Sequence, residues 1–340
     1  MSSSCWFRSL VATLSLFLLS MGCSNSITGS EKVVTFPDED LEQTVCAALG
    51  RDAGPVPISE LRTLKSLNTF ERGVKDLEGL QYCTGLVSLS LNDNGIQDIS
   101  QLRELRNLIN LNLWGNPISD LSPLFLLLKL KTLDLGHTST TDISRLVALT
   151  DLEYLRLSGN PITDISALAN MKELRVLKMS ECLISDISAL SKLGKLNELN
   201  MMTNSIADIE PLANLADLNW VILNGNNIER IPPLDGMVSL EILSLSHNRI
   251  RDINGLEGVT SLADVYLDDN EIVDLSALEN LPNLHDLWLN SNLITDIKPL
   301  VDNPGIGQYD EVYLNANPLS DESINTYIPE LVARGVSVGY

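Results

Sequence analysis

The sequence predicts an α/β repeat solenoid, a curved stack with parallel strands on its concave face, 3-10 or irregular turns on its convex face, and a cap at each end. Three observations carry this expectation. A 22-residue period runs without a slip, placing Leu91, Leu113, Leu135, Leu157, Met179, Met201, Leu223, Leu245, Leu267 and Leu289 in one column. Within each unit, x-L-x-L-x alternates with period two, the mark of a short half-buried strand. The other half-unit, D-I-x-x-L-x-x-L, carries Pro123, Pro211, Pro233 and Pro299 in one column, which an α-helix interior would resist.

The elements follow in chain order. Residues 1–22 read as an export signal: Arg8 supplies a sparse positive start, and Leu10 to Met21 is an apolar run of 12 residues. Such a run is too short to span a bilayer but suits a signal sequence. It ends in Leu19-Ser20-Met21-Gly22-Cys23, which resembles a bacterial lipobox, although Ser20 stands where an aliphatic residue is usual and Leu19 lies one place early. The resemblance implies that Cys23 is acylated and that residues 23–34 form a lipidated tether. A diacylglycerol plus an amide-linked chain exceeds the two-anchor threshold for stable membrane attachment. Plain secretion and a retained anchor are the alternatives. Ser24 after the cysteine implies outer-membrane or cell-surface placement of an exported, lipid-anchored bacterial protein.

Residues 35–60 are expected to form an N-terminal helical cap. Phe36-Pro37-Asp38-Glu39-Asp40 gives an acidic start, and Leu41, Val45, Ala48 and Leu49 fall on one helical face. Eleven 22-residue units then fill residues 61–302, beginning with Leu61, Leu64, Leu67, Val74, Leu77 and Leu80. Residues 303–340 hold a final, longer unit with Val312, Leu314, Asn317 and Leu319. There Asp321-Glu322-Ser323 can cap a helix carrying Ile324, Tyr327, Ile328 and Leu331, before a closing strand at Val336-Ser337-Val338.

Two polar columns read as structural. Asn94, Asn116, Asn160, Asn204, Asn226, Asn248, Asn270 and Asn292 form a ladder broken by Thr138 and Cys182, able to satisfy backbone groups of neighbouring turns. Asp98, Asp120, Asp142, Asp164, Asp186, Asp208, Asp252, Asp274 and Asp296 precede the outer turn and should cap its N–H groups, with Arg230 as an interruption. One carboxylate per turn offers too few oxygens at each level for calcium. Cys182 reads as a free core thiol. Cys46 and Cys83 could bridge cap to first repeat in an oxidising compartment, or lie as two separate buried thiols.

The unit N-x-I-x-D-I-x-x-L resembles the internalin-like class of leucine-rich repeats. Val74-Lys75-Asp76-Leu77-Glu78-Gly79-Leu80-Gln81-Tyr82 resembles the first repeat of bacterial members, and Asn315-Ala316-Asn317-Pro318-Leu319-Ser320-Asp321-Glu322-Ser323 resembles their terminal cap. The resemblance covers about residues 35–340 and implies a leucine-rich-repeat solenoid, a non-enzymatic scaffold holding a protein partner on its concave face. No cell-wall sorting motif follows the array, so anchoring is expected to rest on Cys23.

Composition narrows the function. A hydrophobic content of 44% suffices for a continuous core, and the shortage of aromatics, 5%, suits slabs filled by branched aliphatics. A net charge of -22 argues against nucleic acid as a partner, because phosphate binding needs clustered Lys and Arg. His137, His247 and His285 sit in different repeats, and no Ser-His-Asp set, metal-ligand cluster or phosphate loop is visible, so neither enzyme activity nor a cofactor is expected.

Binding residues are expected at outward-facing strand positions, which the repeat does not dictate. Signal residue Trp6 aside, every tryptophan (Trp114, Trp220, Trp288) stands at such a position. Trp220, Ile222, Ile242, Tyr266 and Trp288 fall in four consecutive repeats with Met202 and Tyr313 at the flanks, and Tyr154 projects from the same face. At a strand spacing of about 4.8 Å this patch would extend roughly 15–20 Å. Asp264, Asp268, Asp269 and Asp286 beside it favour a partner carrying Lys or Arg. Two readings of the rings stay open: interface anchors, or rings that cover one another across strands. A monomer binding a protein is the favoured expectation, and a glycan or peptidoglycan fragment is the alternative ligand.

Overall fold

The computed structural model describes residues 31–340, of which Val33–Tyr340 form one compact unit. The expected signal, Cys23 and residues 24–30 of the expected tether lie outside the described residues. Thirteen three-residue parallel strands, from Ser66–Asn68 to Ser337–Gly339, make one sheet in strict chain order. Neighbours align one repeat apart, so Trp220 stands opposite Ile242, and Tyr266 opposite Trp288. The three-residue lengthening of the final unit is absorbed before its strand, which restores Trp288 opposite Tyr313.

Alternation within each strand sends the central residue inward. Leu89, Leu111, Leu133, Leu155, Leu177, Leu199, Val221, Leu243, Val265 and Leu287 are all buried, in one core that runs the length of the array. The asparagine ladder holds neighbouring turns together. Asn116 accepts from the Ile96 N–H at 3.1 Å and donates to the carbonyls of Leu91 and Leu113 at 2.8 and 3.0 Å. At the first break Thr138 donates to the Leu135 carbonyl or to Asn160, and at the second the Cys182 thiol lies 3.6 Å from the Leu157 carbonyl.

The aspartate column caps the outer turns two residues on. Asp98, Asp120, Asp142 and Asp164 each accept the N–H of the serine at i+2, at 2.7–2.8 Å, and 3-10 turns such as Ser100–Glu104 and Ser144–Ala148 follow. No helical turn separates the strands Trp220–Ile222 and Ile242–Ser244. That is the unit where Arg230 replaces aspartate, and the residue at i+2 is Pro232, which has no N–H to cap. The last turn, Lys298–Asp302, is α-helical rather than 3-10, with Pro299 in its first turn where no donor is needed.

The caps differ in detail from the sequence expectation. Helix Glu39–Ala48 forms, but Leu41, Val45 and Cys46 are its buried residues, and Ala48 is exposed. Asp38 caps it by accepting from Leu41 at 3.0 Å, and its other oxygen accepts from Lys75 at 2.8 Å, pinning the cap to the first repeat. Two residues expected in the tether belong to a strand. Val33–Val34 pairs antiparallel with Val56–Pro57, which buries Val34 and leaves Val33 exposed. Gly79 lies under this element: its φ of +101° and the Phe36 ring, 2.7 Å from where a Cβ would be, both demand glycine. At the other end Ser320, not Asp321-Glu322-Ser323, supplies the cap, accepting from the Ser323 N–H at 3.1 Å. After two α-helical residues the helix makes a π turn, Ser323–Tyr327, where Ile324 lies out to solvent while Ile328 and Leu331 stay buried. Cys46 and Cys83 are two separate buried thiols and not a bridge; Cys182 is likewise free. Burial pushes the Cys83 thiol up to about 12.

Candidate functional site

Because each strand's central residue fills the core, its two neighbours face outward, and these carry the candidate site. The expected binding residues divide into three groups along the array. Trp114 stands alone at the N-terminal side, edge-on to His137 with ring centroids 5.4 Å apart and the Arg156 guanidinium 6.0 Å from its ring. Its indole covers Gly136, where a Cβ would come within 2.5 Å of Cδ1, so this ring is seated by packing. Tyr154 and Met202 belong to a second group. They line a central hollow of about 360 Å³ with His137, Arg156, Lys178 and Asn200. Lys178 pairs with Glu198 at 2.8 Å, and Arg156 lies 3.8 Å from Asp134.

The third group is the patch expected in the C-terminal half, and it resolves into two adjoining columns. One runs Trp220, Ile242, Asp264, Asp286 and Glu311; the other runs Ile222, Ser244, Tyr266, Trp288 and Tyr313. Ser244 is buried and separates Ile222 from the rings. Tyr266, Trp288 and Tyr313 form a tilted ladder with centroid separations of 5.9 and 4.7 Å. Trp288 remains 37% exposed despite both neighbours, and Trp220 is 42% exposed. Tyr313 donates to Glu311 at 2.9 Å, which raises its phenol above the ordinary value. Burial, with the charges of Asp264 and Asp286, raises Tyr266 too. A third row beside the ladder is linked internally: Asn290 donates to Asp268 at 2.7 Å, and Asn315 donates to Asn290 at 2.8 Å.

His285, one of the three histidines that sit in different repeats, lies among acids that the sequence alone did not bring together. Its Nδ1 lies 2.8 Å from Asp286 Oδ1, its Nε2 lies 3.7 Å from Asp310 Oδ1, and Asp264 completes a close group with His285 and Asp286. A cluster of possible metal ligands therefore exists where none was visible. The register of Asp264 with Asp286 could have shown part of it, but the longer final unit hides Asp310 from the 22-residue grid. Burial and the neighbouring Asp286 raise the Asp264 carboxyl. Burial works against charging His285, yet the hydrogen bond and charge of Asp286, with Asp310 and Asp264, raise it overall.

Comparison with known proteins agrees with this architecture. The family model for leucine-rich repeats in two copies matches residues 84–125, 128–170, 172–214, 218–258 and 260–302. An internalin (inlF) from Listeria monocytogenes is 30% identical, covering 79% of this chain and 94% of that one, with a TM-score of 0.58. Internalin C2 from the same species is 34% identical over 68% of this chain and 94% of its own, at a TM-score of 0.59. The Arabidopsis receptor kinase HAESA, solved with the peptide hormone IDA and the co-receptor SERK1, shares the fold at 23% identity and a TM-score of 0.65, over 76% of this chain and 47% of that chain. No curated protein sequence matches the chain. The chain belongs to the leucine-rich-repeat family and is internalin-like, and repeats of this family are non-catalytic scaffolds for protein interaction. Among the described residues no helix is long and apolar enough to cross a membrane.

Proposed function

We propose that this protein is an exported, lipid-anchored binding scaffold that takes a protein partner on the strand-bearing face of its C-terminal half. The observation that carries this reading is the exposure of Trp220 and Trp288 on a face whose stability already comes from the leucines beneath. Rings that served only to cover one another would bury more of their surface across the strands, whereas exposed aromatic anchors are what interfaces use. Asp264, Asp286 and Glu311 adjoin the rings and suit a partner carrying Lys or Arg. The hydrogen bonds among Asp268, Asn290 and Asn315 already engage part of this polar row, which favours protein over glycan. The chain acts as a monomer and performs no chemistry on its ligand.

Immobilised wild-type protein and a Trp220→Ala, Trp288→Ala double variant, each exposed to envelope proteins and to envelope polysaccharide, test this. A protein retained by the wild type and lost by the variant supports the reading. Retention of polysaccharide with the same ring dependence selects the glycan alternative. The anchor has its own test at Cys23. Mass spectrometry of the mature N-terminus should find acylated Cys23, and Cys23→Ser should be released or left unprocessed. A soluble mature wild-type protein with a free N-terminus would contradict anchoring.

A further inference from the structure

Beside the aromatic ladder, two adjacent strands bring an imidazole among three carboxylates. Asp264 and Asp286 are register partners on strands Asp264–Tyr266 and Asp286–Trp288, and His285 immediately precedes Asp286. One ligand atom from each of Asp264, His285 and Asp286 lies within 4.8 Å of the others. Ligand atoms of a tetrahedral zinc site sit roughly 3.3 Å apart, given bonds of about 2.0 Å. The observed spread exceeds that by at most about 1.5 Å, so the three groups must draw together on binding an ion. The face is open, with His285 exposed, so an ion there would keep positions for water or a partner's group.

Asp310 supplies an independent pointer. It is only 7% exposed, and one of its oxygens accepts the Gly307 N–H at 2.7 Å. That bond holds its other oxygen toward His285 Nε2, 3.7 Å away, while Nδ1 faces Asp286 and Asp264. At that distance the two groups form an ion pair rather than a hydrogen bond, and a small turn of the ring would let Nε2 donate to Asp310, the outer-shell arrangement common around a metal-bound imidazole. No Lys or Arg among the described residues pairs with Asp264, Asp286 or Asp310. Imidazole in the set selects a zinc-type ion over magnesium or calcium, which take oxygen ligands only.

We propose that His285, Asp264 and Asp286 bind a divalent transition-metal ion of the zinc class, with Asp310 orienting the histidine from behind. The inference does not rest on the partner reading, since the ligands all come from this chain. The open coordination positions face the same side as Trp288, so an ion bound there would be presented to whatever docks on the ladder.

Calorimetric titration of the full-length protein in detergent with zinc chloride, in a non-chelating buffer, tests it. The wild type should bind zinc saturably, and His285→Ala should weaken that binding about tenfold or more. Asp264→Asn should weaken it as well, with melting unchanged in both variants. His247→Ala is the control: His247 lies 3.0 Å from the single carboxylate of Asp269 and lacks the rest of the set, so its loss should change nothing. Absence of saturable zinc binding, or binding that survives His285→Ala, would overturn the proposal. So would equal affinity for magnesium, which would mark plain attraction to an acidic surface.

Discussion

The ladder asparagines join consecutive turns by hydrogen bonds to backbone groups of their own repeat and the one before it. Asn204 accepts from the Ile184 N–H at 3.0 Å and donates to the Met179 carbonyl at 2.8 Å, joining consecutive turns. Replacing it with leucine should cost about 1–3 kcal/mol in denaturant melts, since the Ile184 N–H and the Met179 carbonyl would lose this partner. Asn200, four positions earlier on an outward-facing strand position, offers itself as a control. It is a poor one: its carbonyl oxygen accepts from Ser180 at 2.7 Å. Exposed Asn110 serves instead, and Asn110→Ala should stay within about 0.5 kcal/mol of wild type. Equal losses at Asn204 and Asn110 would contradict the assignment of buried and exposed columns. The residue before each asparagine is left-handed, with φ between 49° and 72° from Asp93 and Gly115 through His137, Gly159 and Thr203 to Ser291. Glycine at 115, 159 and 225 hinted at this. The other repeats carry Asp, His, Glu, Thr and Ser there, and the signal was too diluted to read.

At the scale of elements, hydrogen-bonded carboxylates join caps to repeats and repeats to their turns. Asp38 binds both the cap helix and the backbone of Lys75 and Asp76, so it holds two elements together. Burial opposes ionisation of Asp38, but the N–H groups of Lys75, Leu41, Asp76 and Asp40 hold its carboxyl below the ordinary value of 3.8. A carboxyl lowered in the folded state stabilises the fold above its unfolded value. That stability is lost as pH falls through the unfolded value toward the folded one. Asp38→Ala should therefore destabilise by about 1–2 kcal/mol at neutral pH. Below about pH 4 the difference from wild type should shrink, because the wild-type carboxyl is then protonated. A stability gap that is constant from pH 7 to pH 3 would contradict this role. The helical start and its acidic residues were legible in Phe36-Pro37-Asp38-Glu39-Asp40. The bond to Lys75 was not, because it joins positions far apart in sequence and outside the repeat grid.

Across the whole molecule, the 22-residue period made the array legible before any coordinate, because a repeat fixes strand order, register and core together. The strand positions of Trp220, Tyr266 and Trp288 followed directly from it. What the period could not convey was which outward residues meet. Tyr154 and Met202 gather at a central hollow, Trp114 packs on Gly136 and His137, and only the C-terminal rings form a ladder. Ring packing depends on side-chain tilt, which periodicity does not encode. The central claim is that this ladder and Trp220 bind rather than merely pack. Affinity for the captured partner, measured beside thermal melting for Trp220→Ala, Tyr266→Ala and Trp288→Ala, tests it most directly. Truncation of a hot-spot aromatic costs about 2 kcal/mol, near a 30-fold loss of affinity. The account predicts such losses for Trp220→Ala and Trp288→Ala with melting near wild type, and no change for exposed Lys172→Ala among the outer turns. A partner whose affinity ignores all three aromatic truncations would contradict it.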